Sequence, residues 1–119
     1  MGSYADDALF MSRNNIEYVE LISDDGKSKV MVIPAWQGRV MTTSAAGDEG
    51  DSYGWINYSF IKKRQIDLQF NPVGGEERFW LGPEGGVFSL YFRQGEKQIY
   101  KNWKVPPVLD IEAFKIQSQ

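Results

Sequence analysis

The chain has 119 residues, of which 42% are hydrophobic, 14% aromatic and 24% charged, as in one globular domain spanning residues 1–119. A formal net charge of −3, without a long run of basic residues, argues against nucleic acid or anionic lipid as a partner. Because the chain has no cysteine and no histidine, it cannot form disulfides or ordinary structural zinc sites, and it cannot use a thiol or an imidazole in catalysis.

The first half of the chain has the patterning of antiparallel β-structure. Apolar segments on both sides of the turn signal Asp24–Gly26 predict a hairpin of strands Ile16–Ser23 and Lys29–Ile33. Pro34 should end the second strand because it has no N–H to donate. A third strand is predicted over Arg39–Ala45.

The second half mixes one helical pattern with further strand patterns. Helical spacing in "GWINYSFIKKRQ" predicts a short helix over Ile56–Lys63. The run "VFSLYFRQ" predicts a strand over Val87–Gln94, and "VLDIEAFKIQS" predicts one or two final strands within residues 108–118. The predicted class is all-β and mainly antiparallel, a sandwich with one short helix.

The segment "NPVGGEERFWLGPEGG", Asn71–Gly86, differs from a regular strand or helix. Two glycine pairs flank a cluster of carboxylates, an arginine and an aromatic pair. It predicts an irregular loop across the sheet layers, in which glycine lets the backbone approach a neighbour closely.

Three stretches carry a resemblance to a known family: "PAWQGRVMTTSA", "GWINYSFI" and "NPVGGEERFWLGPEGGVFSLYF". From about Asp6 to Phe114 the chain resembles a bacterial family with a galactose mutarotase-like fold. The Gly-Gly-x-x-Arg pattern from Gly74 to Arg78, followed by a Trp and a Pro, is similar to the sugar-contacting segment of aldose epimerases. The resemblance implies a carbohydrate-related role and a β-supersandwich, of which this chain is similar to the N-terminal part. The sequence has no apolar stretch long enough to span a bilayer, which predicts a soluble protein. Its compartment is left open between the bacterial periplasm and cytoplasm.

The sequence departs from the aldose epimerases at the catalytic pair. Those enzymes use a histidine as general acid and a glutamate from the later part of their fold as general base. This chain has no histidine, and Glu76, Glu77 and Glu84 lie in the early segment. No catalytic residue is therefore assigned, and epimerase activity by this chain alone is not expected.

The loop has the ingredients of a saccharide site. Arg78 offers a rigid fork of donors, the glutamates offer acceptors and Trp80 offers a flat apolar face. The predicted ligand-binding residues come from this loop and the third strand: Asn71, Glu76, Glu77, Arg78, Trp80, Glu84 and Arg39. The predicted ligand is a weakly held saccharide, with no cofactor and no metal ion. A structural role is the alternative, in which Arg78 pairs with Glu77 or Glu84 and Trp80 belongs to the core.

Two other functions stay open at this point. One is an assembly module that self-associates or completes a larger sandwich, because an uncovered sheet edge invites pairing; a homo-oligomer is predicted on this ground. The other is a glycosidase or lyase that uses only carboxylates, which requires two of them roughly 5 to 10 Å apart.

Overall fold

The computed structural model describes residues 2–118. Within that range the chain forms one β-sheet, several short helices and long irregular connections. None of these helices is both long enough and apolar enough to cross a bilayer. In chain order the regular elements are α1 (Tyr4–Arg13), β1 (Val19–Ile22), β2 (Lys29–Ile33), a 3-10 turn (Pro34–Trp36), β3 (Arg39–Ser44), α2 (Tyr58–Lys63), a second 3-10 turn (Tyr100–Asn102) and α3 (Pro107–Asp110).

The three strands form one antiparallel sheet in the order β1-β2-β3. In the β1-β2 hairpin, Ile22 lies opposite Lys29. Its turn is held by Asp25, whose carboxylate accepts hydrogen bonds from the Ser23 hydroxyl at 2.6 Å and the Lys27 N–H at 3.0 Å. The three strands predicted in the first half are confirmed, although β1 starts three residues later and ends one residue earlier than predicted, and β3 ends one residue earlier.

Helix α1 corrects the prediction of a single short helix, since α1, α2 and α3 all lie within the described residues. It begins with a capping box: Ser3 Oγ accepts from Asp6 N at 3.2 Å, and the Asp6 carboxylate accepts from Ser3 N at 3.1 Å. Tyr4 and Met11 are fully buried. The helix was missed because its apolar face is narrow, so packing on the sheet stabilises it more than local propensity does.

Helix α2 confirms the predicted helix, with a start at Tyr58 instead of Ile56. Asn57 caps it by accepting a hydrogen bond from Phe60 N at 3.2 Å. The helix ends at Lys63 and is followed by Arg64, which has a left-handed backbone with φ of 52°. The side chain of Ile61 is buried.

The predicted strand over Val87–Gln94 is wrong. This segment turns instead, because Ser89 N donates to Gly86 O at 3.2 Å and Ser89 Oγ donates to Glu84 O at 2.8 Å. No strand within residues 2–118 pairs with it. Strand propensity needs a pleated neighbour to pack on, and Phe88, 83% exposed, has none.

The predicted strands within residues 108–118 are also wrong for the residues described. Helix α3 begins at Pro107, whose fixed φ and missing N–H suit the first helical position. The rest of the segment is irregular. Phe114 N donates a hydrogen bond at 2.8 Å to the carbonyl of Pro34, which lies in the 3-10 turn before β3. The fold is therefore a three-stranded antiparallel sheet with short helices.

Two separate hydrophobic clusters hold these elements together. The first core lies between the sheet, α1 and α2, and its buried members are Tyr4, Met11, Met31, Ile33, Met41, Ile56, Ile61 and Val73. The second core is built from the later half, with Tyr91, Val105 and Leu109 buried and Phe70, Trp80, Phe92 and Trp103 packed on them. The chain passes from the second core at Phe70 to the first at Val73, so Asn71 and Pro72 connect the two.

Candidate functional site

Asp110, the last residue of α3, is the centre of a buried polar cluster. Its side chain accepts two hydrogen bonds on Oδ2 from Asn71: one from the backbone N–H at 2.7 Å and one from the side-chain amide at 2.9 Å. Oδ1 accepts from Arg78 Nη1 at 3.3 Å. A carboxylate that is only 5% exposed needs such partners, because burying an unpaired charge is costly.

Arg39, the first residue of β3, approaches Asp110 from the sheet. Its Nη1 donates to the Gly74 carbonyl at 2.7 Å, and its Nη2 lies 4.0 Å from Asp110 Oδ1. Its Nε is buried and has no hydrogen-bond partner among the described residues. Burial, followed by the like charge of Arg78, lowers the pKa of Arg39 to about 10, against the opposing effect of Asp110.

Arg78 braces the loop from the other side of Asp110. Besides its contacts with that carboxylate, its Nη2 donates to the Leu109 carbonyl. Its guanidinium carbon stands 4.5 Å from the centre of the Trp80 ring, a cation–π contact. The acidic partner of Arg78 is thus Asp110, and the pairing with Glu77 or Glu84 considered above does not form.

Two backbone features bring Arg39 to this position. Gly74 and Gly75 have positive φ values of 95° and 110°, which favour glycine. A Cβ on Gly75 would lie 2.8 Å from Arg39 Cδ, so the glycine leaves the space that the arginine stem occupies. The glycine pair of the loop therefore serves a close approach between loop and sheet.

A cavity of about 350 Å³ opens beside this cluster. Its volume is at the lower end of the range for small-molecule sites. Apolar and polar side chains both line it. The lining residues that matter for chemistry are Trp36, Phe60, Ile61 and Val73 on the apolar side and Arg39, Asn71, Asp110 and Arg64 on the polar side.

The predicted ligand-binding residues separate into two groups. Arg39, Asn71 and Arg78 meet at Asp110, and the first two also line the cavity. The other four lie away from the cavity: Glu76 accepts from Thr43 Oγ1 at 2.9 Å, Glu77 is exposed, and Trp80 donates to Glu84 at 2.6 Å. Trp80 also stacks on Tyr91 with ring centroids 5.1 Å apart, as part of the second core.

Sequence reasoning missed Asp110 and Trp36 as members of the site. Asp110 lies in a segment that was interpreted as a strand, and its partners are tens of residues away in sequence. Pro106-Pro107 was the one local signal of a helical start nearby. Trp36 lies within the quoted stretch "PAWQGR", where the proline-initiated 3-10 turn places it beside Arg39's strand.

The chain belongs to a family of unknown function, DUF6786, whose model matches residues 2–119. Comparison with curated proteins gave no match. Comparison with solved structures gave none either. The resemblance to galactose mutarotase-like proteins stays a prediction from the quoted sequence stretches.

Proposed function

We propose that this chain is a binding module for a small saccharide, and that the saccharide occupies the cavity beside Asp110. One observation carries the proposal: the cavity combines an aromatic side chain, Trp36, with the planar polar groups of Arg39, Asn71 and Asp110. Sugars present an apolar C–H face, which suits an aromatic ring, and hydroxyl pairs, which suit planar donors and acceptors.

The proposal moves the ligand from the outer face of the Asn71–Gly86 loop to the cavity behind it. Arg39 remains a contact residue in this arrangement, and Asn71, whose amide group donates to the Asp67 carbonyl and to Asp110, can offer only its Oδ1 as an acceptor. Arg78 holds Asp110 in place without lining the cavity, so its role is positioning. The glutamates of the loop have no part in it.

Binding without chemical conversion is favoured over a carboxylate-only glycosidase. Such an enzyme needs two carboxyl groups flanking the scissile bond. Among the described residues that line the cavity, Asp110 is the one carboxylate. Its oxygens already accept hydrogen bonds from Asn71 and Arg78, which leaves it better suited to holding a hydroxyl than to transferring a proton.

Calorimetric titration with neutral and acidic monosaccharides tests the proposal. We expect weak binding by the wild type, retention in Trp36→Phe, which keeps an aromatic face, and loss in Trp36→Leu, which does not. Trp55→Leu is the matched control, because Trp55 is 65% exposed and does not line the cavity. Equal binding by Trp36→Leu and wild type would show that the ligand lies elsewhere.

Self-association is a second candidate function, favoured by the exposed edge of the sheet. Strand β1 has a partner on one side, and its Leu21 and Ile22 are 58% and 51% exposed. Unpaired strand edges with apolar side chains invite pairing. We infer that a second copy pairs along β1, which would extend the sheet across the two copies.

Light scattering coupled to size exclusion distinguishes the two states. A dimer in the wild type and a monomer in Leu21→Lys would support pairing along β1. A monomer at high concentration in the wild type would rule it out. The saccharide proposal does not depend on this result.

A further inference from the structure

We propose that the ligand of the cavity carries one carboxylate and that Arg39 pairs with it. The proposal rests on the saccharide-binding function above and narrows the ligand class to acidic monosaccharides, of which hexuronates are the simplest. This narrower ligand class follows from the net charge of the cavity lining, from the unpaired donors of Arg39 and from the exposed cation Arg64 in the lining.

The cavity has an excess of positive charge. Its ionisable lining residues within the described chain are Arg39, Arg64 and Asp110, which leaves one uncompensated cation. Arg78 Nη1 lies 3.3 Å from Asp110 Oδ1, closer than Arg39 Nη2, which lies 4.0 Å from the same oxygen. One carboxylate cannot neutralise two buried or half-buried guanidinium groups, so the site lacks an anion.

Arg39 also has unused donors. A guanidinium carries five N–H groups, and Arg39 is only 4% exposed, so water cannot satisfy them freely. Nη1 donates to Gly74 O, Nη2 stands beyond hydrogen-bond length from Asp110, and Nε has no partner among residues 2–118. A carboxylate can accept two parallel hydrogen bonds from such a group, which is the strongest pairing available to an arginine.

The direction of the Arg39 pKa agrees with an under-compensated cation. Burial and the charge of Arg78 lower it to about 10 despite Asp110. A bound anion within about 4 Å would raise it again. The group is protonated at neutral pH in either state, so it is available to pair.

A single negative charge fits better than a double one. The buried cluster of Arg39, Arg78 and Asp110 has one excess positive charge, and a carboxylate supplies one negative charge at neutral pH. A phosphate monoester carries about −1.5 to −2 at pH 7 and would leave the buried cluster over-compensated. The ring of a hexuronate would then face the apolar side of the cavity at Ile61, Val73 and Trp36.

Arg64 lies where an approaching anion would first meet the site. It is exposed, follows the last residue of α2 in a left-handed backbone conformation and lines the cavity. An exposed cation at the mouth of a cleft attracts anions at a distance and is screened by salt. Its contribution to affinity should therefore be modest and salt-dependent, whereas that of Arg39 should persist at high salt.

The test compares glucuronate with glucose by calorimetry, since the two differ by a carboxylate in place of a hydroxymethyl group. We expect glucuronate to bind at least tenfold more tightly to the wild type, and Arg39→Gln to abolish the difference. Arg64→Gln keeps the buried cluster intact and should reduce the preference roughly two- to threefold at low salt, as expected for one exposed charge. Lys63→Gln, the same charge change on an exposed α2 residue outside the cavity, should leave it unchanged.

The outcomes separate this inference from the proposed function. Equal affinity for glucose and glucuronate overturns the carboxylate assignment and leaves saccharide binding standing. Binding of neither sugar overturns both. Tighter binding of glucose 6-phosphate than of glucuronate overturns the carboxylate in favour of a phosphate. Propionate binding as tightly as glucuronate supports the pairing of Arg39 with a carboxylate and overturns the saccharide function. If Arg39→Gln does not fold, the wild-type titration decides: an affinity for glucuronate less than tenfold above that for glucose overturns the inference.

Discussion

Asn71 holds Asp110 twice, through its backbone N–H at 2.7 Å and its side-chain amide at 2.9 Å, both on the same carboxylate oxygen. The two residues are 39 positions apart. Asn71 follows Phe70 of the second core and Asp110 follows Leu109 of the same core. The pair therefore fixes the end of α3 against the start of the Asn71–Gly86 loop. The other carboxylate oxygen, Oδ1, faces Arg78 and Arg39.

Asp110→Asn should destabilise the fold by about 3 kcal/mol. The substitution keeps the shape of the side chain but removes the charge on which Arg78 and Arg39 depend, and breaking a buried ion pair leaves uncompensated cations. Urea unfolding followed by tryptophan fluorescence measures the change. The control is Glu112→Gln, an exposed acid two residues away, for which less than about 0.5 kcal/mol is expected. A loss below about 1 kcal/mol in Asp110→Asn would mean that the cluster is not needed for stability.

Arg78→Ala should destabilise the protein by about 2 kcal/mol, because the guanidinium joins the Leu109 carbonyl, the Asp110 carboxylate and the Trp80 ring. Arg78→Lys should recover only a part, since an ammonium group lacks the planar fork and stacks poorly. Trp80 emission should shift in both variants. If Arg78→Ala unfolds like the wild type and loses saccharide binding, Arg78 is a contact residue and not a brace.

Gly74→Ala should cost more than backbone strain alone. Gly74 has φ of 95°, and a Cβ there would lie 2.2 Å from the Trp55 carbonyl oxygen. Gly26 is the control: its φ is 72° and a Cβ would meet nothing within 4 Å. Gly26→Ala should then cost roughly 1 kcal/mol from strain, and Gly74→Ala roughly 3 kcal/mol, as measured by thermal unfolding. Equal losses would indicate that the loop can move away from Trp55.

Tyr58→Phe should flatten the decline of stability at alkaline pH. Burial first, then the hydrogen bond that its hydroxyl donates to Asp7, raise the pKa of Tyr58 from 10.0 to about 12. The unfolded chain therefore loses this proton at lower pH than the folded one. Its stabilising contribution is complete below pH 10 and is lost as pH rises through about 12. Urea unfolding from pH 8 to 12 would show parallel curves for wild type and variant if the hydroxyl were not involved.

The local parts of the fold were predictable from the sequence and the long-range parts were not. Strand β2 and the turn at Asp25 follow from alternation and turn chemistry within a few residues, which the chain decides locally. The segment from Val87 to Gln94 has equal strand propensity, but no strand within residues 2–118 pairs with it, and its Ser89 forms a turn with the preceding Gly86 instead. The strand prediction for this segment rested on residue propensity, whereas its structure depends on tertiary contacts.

The site was predictable to a similar degree. The loop chemistry pointed to Asn71 and Arg78, and the resemblance carried by "PAWQGRVMTTSA" pointed to Arg39 beside them. Nothing near these residues indicates that their common partner is Asp110, which lies 32 positions after Arg78. A buried carboxylate is recognised by the donors around it, and these come together only in the folded chain.

The most direct measurement is a nuclear magnetic resonance titration of the wild type with glucuronate, following the side-chain signals of the cavity. The account predicts shifts of the Arg39 Nε–H, the Trp36 indole N–H and the Asn71 side-chain amide at one common midpoint, with the Trp55 indole unmoved. Shifts confined to Trp80 and the exposed part of the Asn71–Gly86 loop, or no shifts at millimolar glucuronate, would contradict it.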